Sequence, residues 1–200
     1  NQNSGVYRTL VRDDHSVVVN MNPRRGGHDQ CETWWKQGKS APVAWVIGAD
    51  PAYQLASVAT LPTGVQEMEI AGGLKGAPIE LVKCVTNDIL IPANAEIIIE
   101  GEIAPGELDK EGPFGENLGF MCEISDKPVA RISAITRRKD AIYYGMTSQM
   151  PPSESTMLQS HATAGMINKT LRHDLGEIFI SDFHIDLTFG GQMAHGIIAM

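Results

Sequence analysis

From Ala95 to Ala104 the chain reads Ala-Glu-Ile-Ile-Ile-Glu-Gly-Glu-Ile-Ala, the strongest strand signal in the sequence. Isoleucine is stiff at χ1 and suits a pleated surface better than a helix. Soon after comes Glu111-Gly112-Pro113-Phe114-Gly115-Glu116, with Asn117 and Gly119 following. Proline fixes φ and glycine permits unusual φ, so a shaped turn is expected here, neither helix nor strand interior. Further strands are predicted over Phe120 to Ser125, Pro128 to Arg137 and Ala141 to Thr147. Antiparallel-looking strands in succession, with helices segregated, predict an α+β domain around a β-barrel or sandwich.

The flanks fit that class. Val6 to Val19 holds two apolar runs around Arg12-Asp13-Asp14-His15 and reads as a β-hairpin. Gln30 to Gly38 has helical character and ends on a glycine stop; Trp34 and Trp35 read as packing residues. Pro42 to Gly48 reads as a buried strand. Asp50 as N-cap and Pro51 at the first helical position start a helix that runs to about Thr60. Pro62-Thr63-Gly64 turns the chain, and Val65 to Leu74 reads as a helix carrying Glu67 and Glu69, ended by Gly72-Gly73 and Gly76-Ala77-Pro78. Ile79 to Val85 and Ile89 to Pro92 read as strands around an Asn87-Asp88 turn. Pro151-Pro152-Ser153-Glu154-Ser155 breaks the strand pattern and caps a helix over about Thr156 to Leu171. Late strands follow at Ile178 to Ile185 and Gly196 to Met200. No repeat or low-complexity linker interrupts the chain.

The 200 residues suffice for one domain with a real core. A net charge of −8 argues against nucleic acid as the main partner, since a phosphate backbone needs a basic footprint. No apolar run is long enough to span a bilayer, and the polar opening does not read as a signal peptide. Cys31, Cys84 and Cys122 are odd in number and widely spaced, which reads as reduced thiols and a cytoplasmic location. The chain begins with Asn rather than Met, so an excised or processed piece is expected.

Two stretches carry chemistry on their residues alone. Glu111 and Glu116, held apart by a rigid turn, suit proton transfer; the bland alternative is a surface turn with two solvated acids. The loop from Asn22 through Arg24, Arg25, Gly26, Gly27 and His28 to Asp29 could cradle a phosphate, or could be a flexible basic loop.

Several motifs then occur in one order: Asn3-Ser4-Gly5-Val6-Tyr7-Arg8, Gly48-Ala49-Asp50-Pro51, Leu81-Val82-Lys83-Cys84, Thr86-Asn87-Asp88, Ala95-Glu96-Ile97 and the acidic turn followed by Gly119-Phe120. In this order they resemble UbiD-type decarboxylases, which include the polyprenyl-hydroxybenzoate and ferulate decarboxylases. The similarity runs from about Asn3 to at least Pro152. It implies a split β-barrel, flavin-reductase-like domain with flanking helices. That domain would occupy residues 1–150 and be completed by a helix and late strands over 151–200. The family's N-terminal and C-terminal domains are expected to be absent from this chain.

The resemblance also implies prenylated flavin mononucleotide (prenylated FMN), a divalent metal (manganese or magnesium) and often potassium. Asn3 matches the metal-binding asparagine, whose carbonyl is a hard oxygen donor. Glu67 matches the metal-binding glutamate; by itself it would read as a solvated helix acid. His28 is the expected third ligand, although a lone loop histidine is more often solvated. Val6, Tyr7 and Arg8 match the segment along the flavin. Asn20, Met21 and Asn22 match a second lining segment, Arg25 and Gly26 the part near the phosphate, and Ser57 a further cofactor contact. Arg8, Glu111 and Glu116 match a catalytic network. In it Arg8 holds the substrate carboxylate and pairs with Glu111, and Glu116 protonates carbon after CO₂ leaves.

The expected activity is reversible, non-oxidative decarboxylation of an aromatic or α,β-unsaturated acid. One alternative is a flavin-phosphate-binding domain that is inactive alone and needs further segments. Another is a structural chain in an oligomer. The partners expected are a small carboxylic acid and further copies or segments of the same protein, with no nucleic acid and no membrane span.

Overall fold

A computed structural model of the chain describes residues 2–23, 26–59, 61, 65–117, 119–186 and 195–200. The chain divides into two compact units. The first comprises Asn1–Gln54, Gln66–Gly112 and Glu123–Tyr144; the second comprises Leu55–Val65, Pro113–Cys122 and Gly145–Met200.

The first unit is built on an antiparallel sheet. β1 (Thr9–Asp13) and β2 (Ser16–Val19) form the hairpin expected around Asp13. Asp13 shapes its turn by accepting from the His15 amide (2.8 Å) and the Ser16 hydroxyl (2.7 Å). With β3 (Ala41–Ile47), β6 (Ile97–Glu111) and β7 (Ser125–Arg137) they give the strand order β1-β2-β7-β6-β3. The fold class is thus mixed, with antiparallel sheets; among the described residues the sheet does not close into a barrel.

Around β3 the sheet is packed on both faces. The strand's side chains alternate between faces. Val43 and Trp45 pack with α1 (Gly26–Trp35), in a cluster with Val19, Met21, Cys31, Ile103 and Ala130. Ala44 and Val46 pack with Cys84, Ile91, Ala95 and Ile98, beneath the ribbon of β4 (Leu81–Lys83) and β5 (Leu90–Pro92). Trp35 anchors α1 by donating its indole N–H to the Ile103 carbonyl at 3.0 Å, while Trp34 stays exposed.

Two irregularities in β6 decide which residues face inward. Between Glu100 and Gly101 the register slips by one on the β7 side, leaving Ser133 as the extra residue. Gly101 is required there, because a Cβ would lie 2.4 Å from the Arg131 carbonyl oxygen. Between Ile103 and Leu108 the register slips again, and pairing then resumes through Glu111↔Ser125. Glu111 therefore closes a strand instead of opening the turn that follows, correcting the expectation of a turn from Glu111. Gly112, with φ of 100°, starts that turn.

α2 (Pro51–Val58) starts where expected, with Asp50 accepting from the Ala52 amide at 2.9 Å. That bond is the main reason the Asp50 carboxyl sits below its ordinary range. α3 (Glu67–Lys75) ends on Gly76, whose φ is 72°. The expected Pro62-Thr63-Gly64 turn lies outside the described residues.

In the second unit, Gly115 bridges Met121, and the Cys122 amide donates to the Phe114 carbonyl at 2.7 Å. The expected strand from Phe120 therefore becomes one limb of a small loop, and only Ser125 belongs to β7. α4 (Glu154–Lys169) begins at a reciprocal cap between Ser153 and Thr156 and continues into a π-helical turn, Thr170–Asp174. β8 (Asp182–Asp186) pairs with β9 (His195–Ala199). The strand expected at Ala141 to Thr147 does not form: within the first unit, the Ile142 amide donates to the Glu96 carboxylate (3.0 Å) instead of a neighbouring strand.

Candidate functional site

Sheet order explains how residues far apart in sequence meet. Val18 pairs with Val129, so two residues on, Asn20 comes level with Lys127, which pairs with Asp109 near the end of β6. Arg8 and Asn20 flank the hairpin at the same end, joined by the Asn20 amide donating to the Arg8 carbonyl at 2.9 Å. Arg8, Asn20 and Glu111 thus converge at one end of the sheet.

There Arg8 Nε donates to Glu111 Oε1 at 2.6 Å and Arg8 Nη2 to Glu111 Oε2 at 3.2 Å. This two-pronged geometry suits guanidinium and carboxylate planes. Asn20 Nδ2 donates to Glu111 Oε2 at 3.2 Å. The Glu111 side chain is 1% exposed and that of Arg8 23%. A carboxylate so deeply buried needs such partners. The arrangement leaves the cation on the more accessible side, suited to meeting an anionic substrate.

A few residues earlier, Asn3 Nδ2 donates to Glu67 Oε1 at 3.1 Å. Glu67 opens α3 and is only 7% exposed. Between them the two side chains offer an amide oxygen and a carboxylate, hard donors of the kind Mg²⁺ and Mn²⁺ take. Gly26 lies against this pair: a Cβ there would come within 2.6 Å of Asn3 Nδ2 and 2.8 Å of Oδ1. The Gly27 amide donates to the Tyr7 hydroxyl at 2.8 Å, and a Cβ on Gly27 would lie 2.4 Å from that oxygen. The two glycines at the start of α1 are thus a space requirement for the segment carrying Asn3 and Tyr7. The residues present fit a divalent cation beside a helix N-terminus able to face a phosphate.

The other expected site residues are distributed as follows. His28 lies in the first turn of α1, its ring edge-on to Trp35 with centroids 5.5 Å apart. Its Nδ1 faces Glu32 (3.8 Å) and Asp29 (3.9 Å) of the same helix, without a hydrogen bond. Among the described residues, no group of three or more His, Cys, Asp and Glu side chains is arranged to hold a metal. Val6 is exposed, Met21 is buried in the core, and Asn22 accepts from Lys127 Nζ at 2.6 Å. Arg25 lies outside the described residues. Ser57 is half-buried on α2. Glu116 belongs to the second unit; its amide donates to the Phe120 carbonyl at 2.6 Å and its carbonyl accepts from the Gly119 amide at 3.0 Å.

Sequence reading missed Glu100. It is fully buried in β6 and accepts from the Val85 amide (2.9 Å), the Thr86 amide (2.7 Å) and the Thr86 hydroxyl (2.6 Å). Burial pushes its carboxyl up. The Thr86, Val85 and Cys84 donors together outweigh burial, so it sits below its ordinary value. The available signal was an acid two residues from the core residue Ile98, hence on the same strand face. Burial raises the thiols of Cys31 and Cys84 to about 11, the latter with help from Glu100, so neither is a reactive nucleophile.

Residues 1–151 match the family model described as the 3-octaprenyl-4-hydroxybenzoate carboxy-lyase Rift-related domain, UbiD. Among solved structures, an evolved dimeric form of the UbiD-class enzyme HmfF from Pelotomaculum thermopropionicum, in complex with prFMN, is 34% identical. It aligns with a TM-score of 0.82 over 92% of this chain and 42% of that one. The vanillic acid decarboxylase of Sedimentibacter hydroxybenzoicus, in closed form, is 27% identical, with a TM-score of 0.86 over 97% of this chain and 40% of that one. The apo 3,4-dihydroxybenzoic acid decarboxylase of Klebsiella pneumoniae, at 24% identity and a TM-score of 0.82 over 97% of this chain and 41% of that one, shares the fold. This chain thus spans about two-fifths of the length of these solved relatives. With the family model matched over residues 1–151, the chain belongs to the UbiD family.

Proposed function

We propose that this chain supplies the cofactor-binding and acid–base residues of a carboxy-lyase. The reaction is the reversible, non-oxidative decarboxylation of an aromatic or α,β-unsaturated acid, with prenylated FMN and Mn²⁺ or Mg²⁺, and potassium as a further ion. The observation that carries this reading is the segment Asn3 to Arg8. One end meets Glu67 and the other meets Glu111 (3.1 and 2.6 Å), so a single stretch of backbone sets the spacing between a cation site and a buried ion pair. Relatives add support: HmfF has been solved with prFMN and with FMN, and the Sedimentibacter protein is a vanillic acid decarboxylase. The split-barrel form of the domain belongs to the same reading, supported by the two antiparallel sheets of the first unit. No helix among the described residues is long and apolar enough to cross a membrane, which is compatible with a cytoplasmic enzyme.

When bound, the flavin supplies an electron sink for the carbanion left by CO₂. The chain's own residues do the rest. Asn3 and Glu67 hold the divalent ion. Arg8, on the accessible side of its ion pair, orients the substrate carboxylate. Glu111 keeps Arg8 in place and balances its charge. Glu116 is the general acid that delivers a proton to carbon. The test is reconstitution of the purified protein with prenylated FMN, Mn²⁺ and a panel of aromatic and cinnamic-type acids. Glu116→Gln is expected to abolish turnover while flavin binding persists; full activity in that variant removes its role. The span of about two-fifths of the relatives favours a second reading, a flavin-binding domain that needs further segments for turnover. It predicts a bound-flavin spectrum without decarboxylation.

A further inference from the structure

Gln2 makes a contact that the function above does not use. Its side-chain Nε2 donates to the Leu90 carbonyl at 2.8 Å, and its Oε1 accepts from the Leu90 amide at 2.8 Å. One primary amide thereby satisfies both backbone groups of a β5 residue, as a neighbouring strand would. Leu90 pairs with Lys83 on β4, so Gln2 completes the outer edge of the ribbon. The contact spans 88 residues and joins an otherwise irregular stretch to regular structure.

The next residue is Asn3. From Gln2 onward almost every side chain of this stretch is tied to a different element. Asn3 meets Glu67 of α3, the Ser4 hydroxyl accepts from Tyr53 of α2 at 2.9 Å, and Tyr7 meets Gly27 of α1. Gln2, Ser4, Glu67 and Leu90 also line one cleft, so the Leu90 clasp and the Glu67 carboxylate share its walls. Asn3 itself is exposed and outside any helix or strand. Without an anchor on its N-terminal side, this amide would have to be ordered each time a cation bound, at the cost of backbone and side-chain entropy.

We infer that Gln2 is a positioning residue for the divalent-cation site: by clasping Leu90 it pre-orders Asn3 opposite Glu67. The inference rests on the metal reading of Asn3 and Glu67, and the test separates the two. Mn²⁺ binding to the purified, flavin-free protein is measured by electron paramagnetic resonance of the free ion. Gln2→Met keeps the length of the side chain and removes both hydrogen bonds. Gln2→Asn keeps the amide and shortens its reach. Asn3→Ala is the control.

The expected result is saturable binding by the wild type and loss of binding in Asn3→Ala. Both Gln2 variants should weaken binding about tenfold, the size expected of one to two neutral hydrogen bonds. Faster hydrogen exchange at the Leu90 amide, by roughly the same factor, is expected in both variants. Wild-type Mn²⁺ affinity in both Gln2 variants overturns the positioning role and leaves the metal site standing. Wild-type binding that is absent, or indifferent to Asn3→Ala, overturns the metal reading and this inference with it.

Discussion

Glu111→Gln tests the buried ion pair most directly. The substitution keeps the shape and removes the charge. Three donors now converge on the carboxylate: two from Arg8 and one from Asn20. A carboxamide offers one oxygen, and its own NH₂ group must face at least one donor. Each hydrogen bond to a charged group contributes about 1.5–3 kcal/mol, and a partner left buried and unsatisfied costs about 1–3 kcal/mol more. Arg8 is 23% exposed and regains some hydration, which offsets part of this. The net loss is about 3 kcal/mol, toward the low end for breaking a buried pair. At about 2–4 °C per kcal/mol for a chain of this size, Tm falls by roughly 6–12 °C. On the proposed function, turnover in the reconstituted protein falls at least about 100-fold, because Arg8, the cation assigned there to orient the substrate, loses its anchor. Thermal unfolding followed by circular dichroism, and single-turnover decarboxylation, give the two readouts. Glu111→Asp keeps the charge and retracts it by one methylene, so it should recover more of the stability than of the activity. A Tm within about 2 °C of wild type in Glu111→Gln would refute the reasoning, since a buried acceptor cannot lose its charge before these donors at so little cost.

Two further outcomes follow from the same structure. Glu100→Gln should lower stability by about 2–4 kcal/mol at pH 7, since the Val85, Thr86 and Cys84 donors lose a charged acceptor. The folded carboxyl lies below its ordinary 4.5, so its stabilisation is complete above that value and fades as pH drops through the folded value. Denaturant titrations should therefore show the gap between wild type and variant shrinking only below about pH 4.5; an equal gap at pH 3 and pH 7 would contradict it. Gly26→Ala should separate stability from binding. Alanine favours the helix by up to about 1 kcal/mol, so Tm holds or rises, while the new Cβ displaces Asn3 and Mn²⁺ affinity falls at least about tenfold. Undiminished Mn²⁺ binding in that variant would show that Asn3 needs no such space.

Local chemistry was legible where one residue type decides the backbone. Asp50 and Ser153 cap the helices expected of them, the glycine of Gly76 ends α3, and Asp13 sets the hairpin turn. The isoleucine-rich stretch is a strand because χ1-stiff side chains leave it little else. Strand ends were harder. Residues 120–124 and 141–147 carry strand-like composition, yet the Cys122 amide finds the Phe114 carbonyl and the Ile142 amide the Glu96 carboxylate. Glu111 reads as a turn residue because periodicity cannot see that β6 loses register after Ile103 and regains it at Leu108.

By itself, then, the chain's order of residues determined its helices, its main strands and the set of groups able to do acid–base and metal chemistry. Family resemblance, not spacing, is what suggested that Asn3 belongs with Glu67 and Arg8 with Glu111. Only the tertiary structure brings those pairs, 64 and 103 residues apart, to 3.1 and 2.6 Å, buries Glu100, and gives Asn20 and Gln2 their partners. Periodicity encodes which face of an element turns inward. Which distant residue waits there depends on sheet order and on register slips, and these are settled by packing across the whole domain.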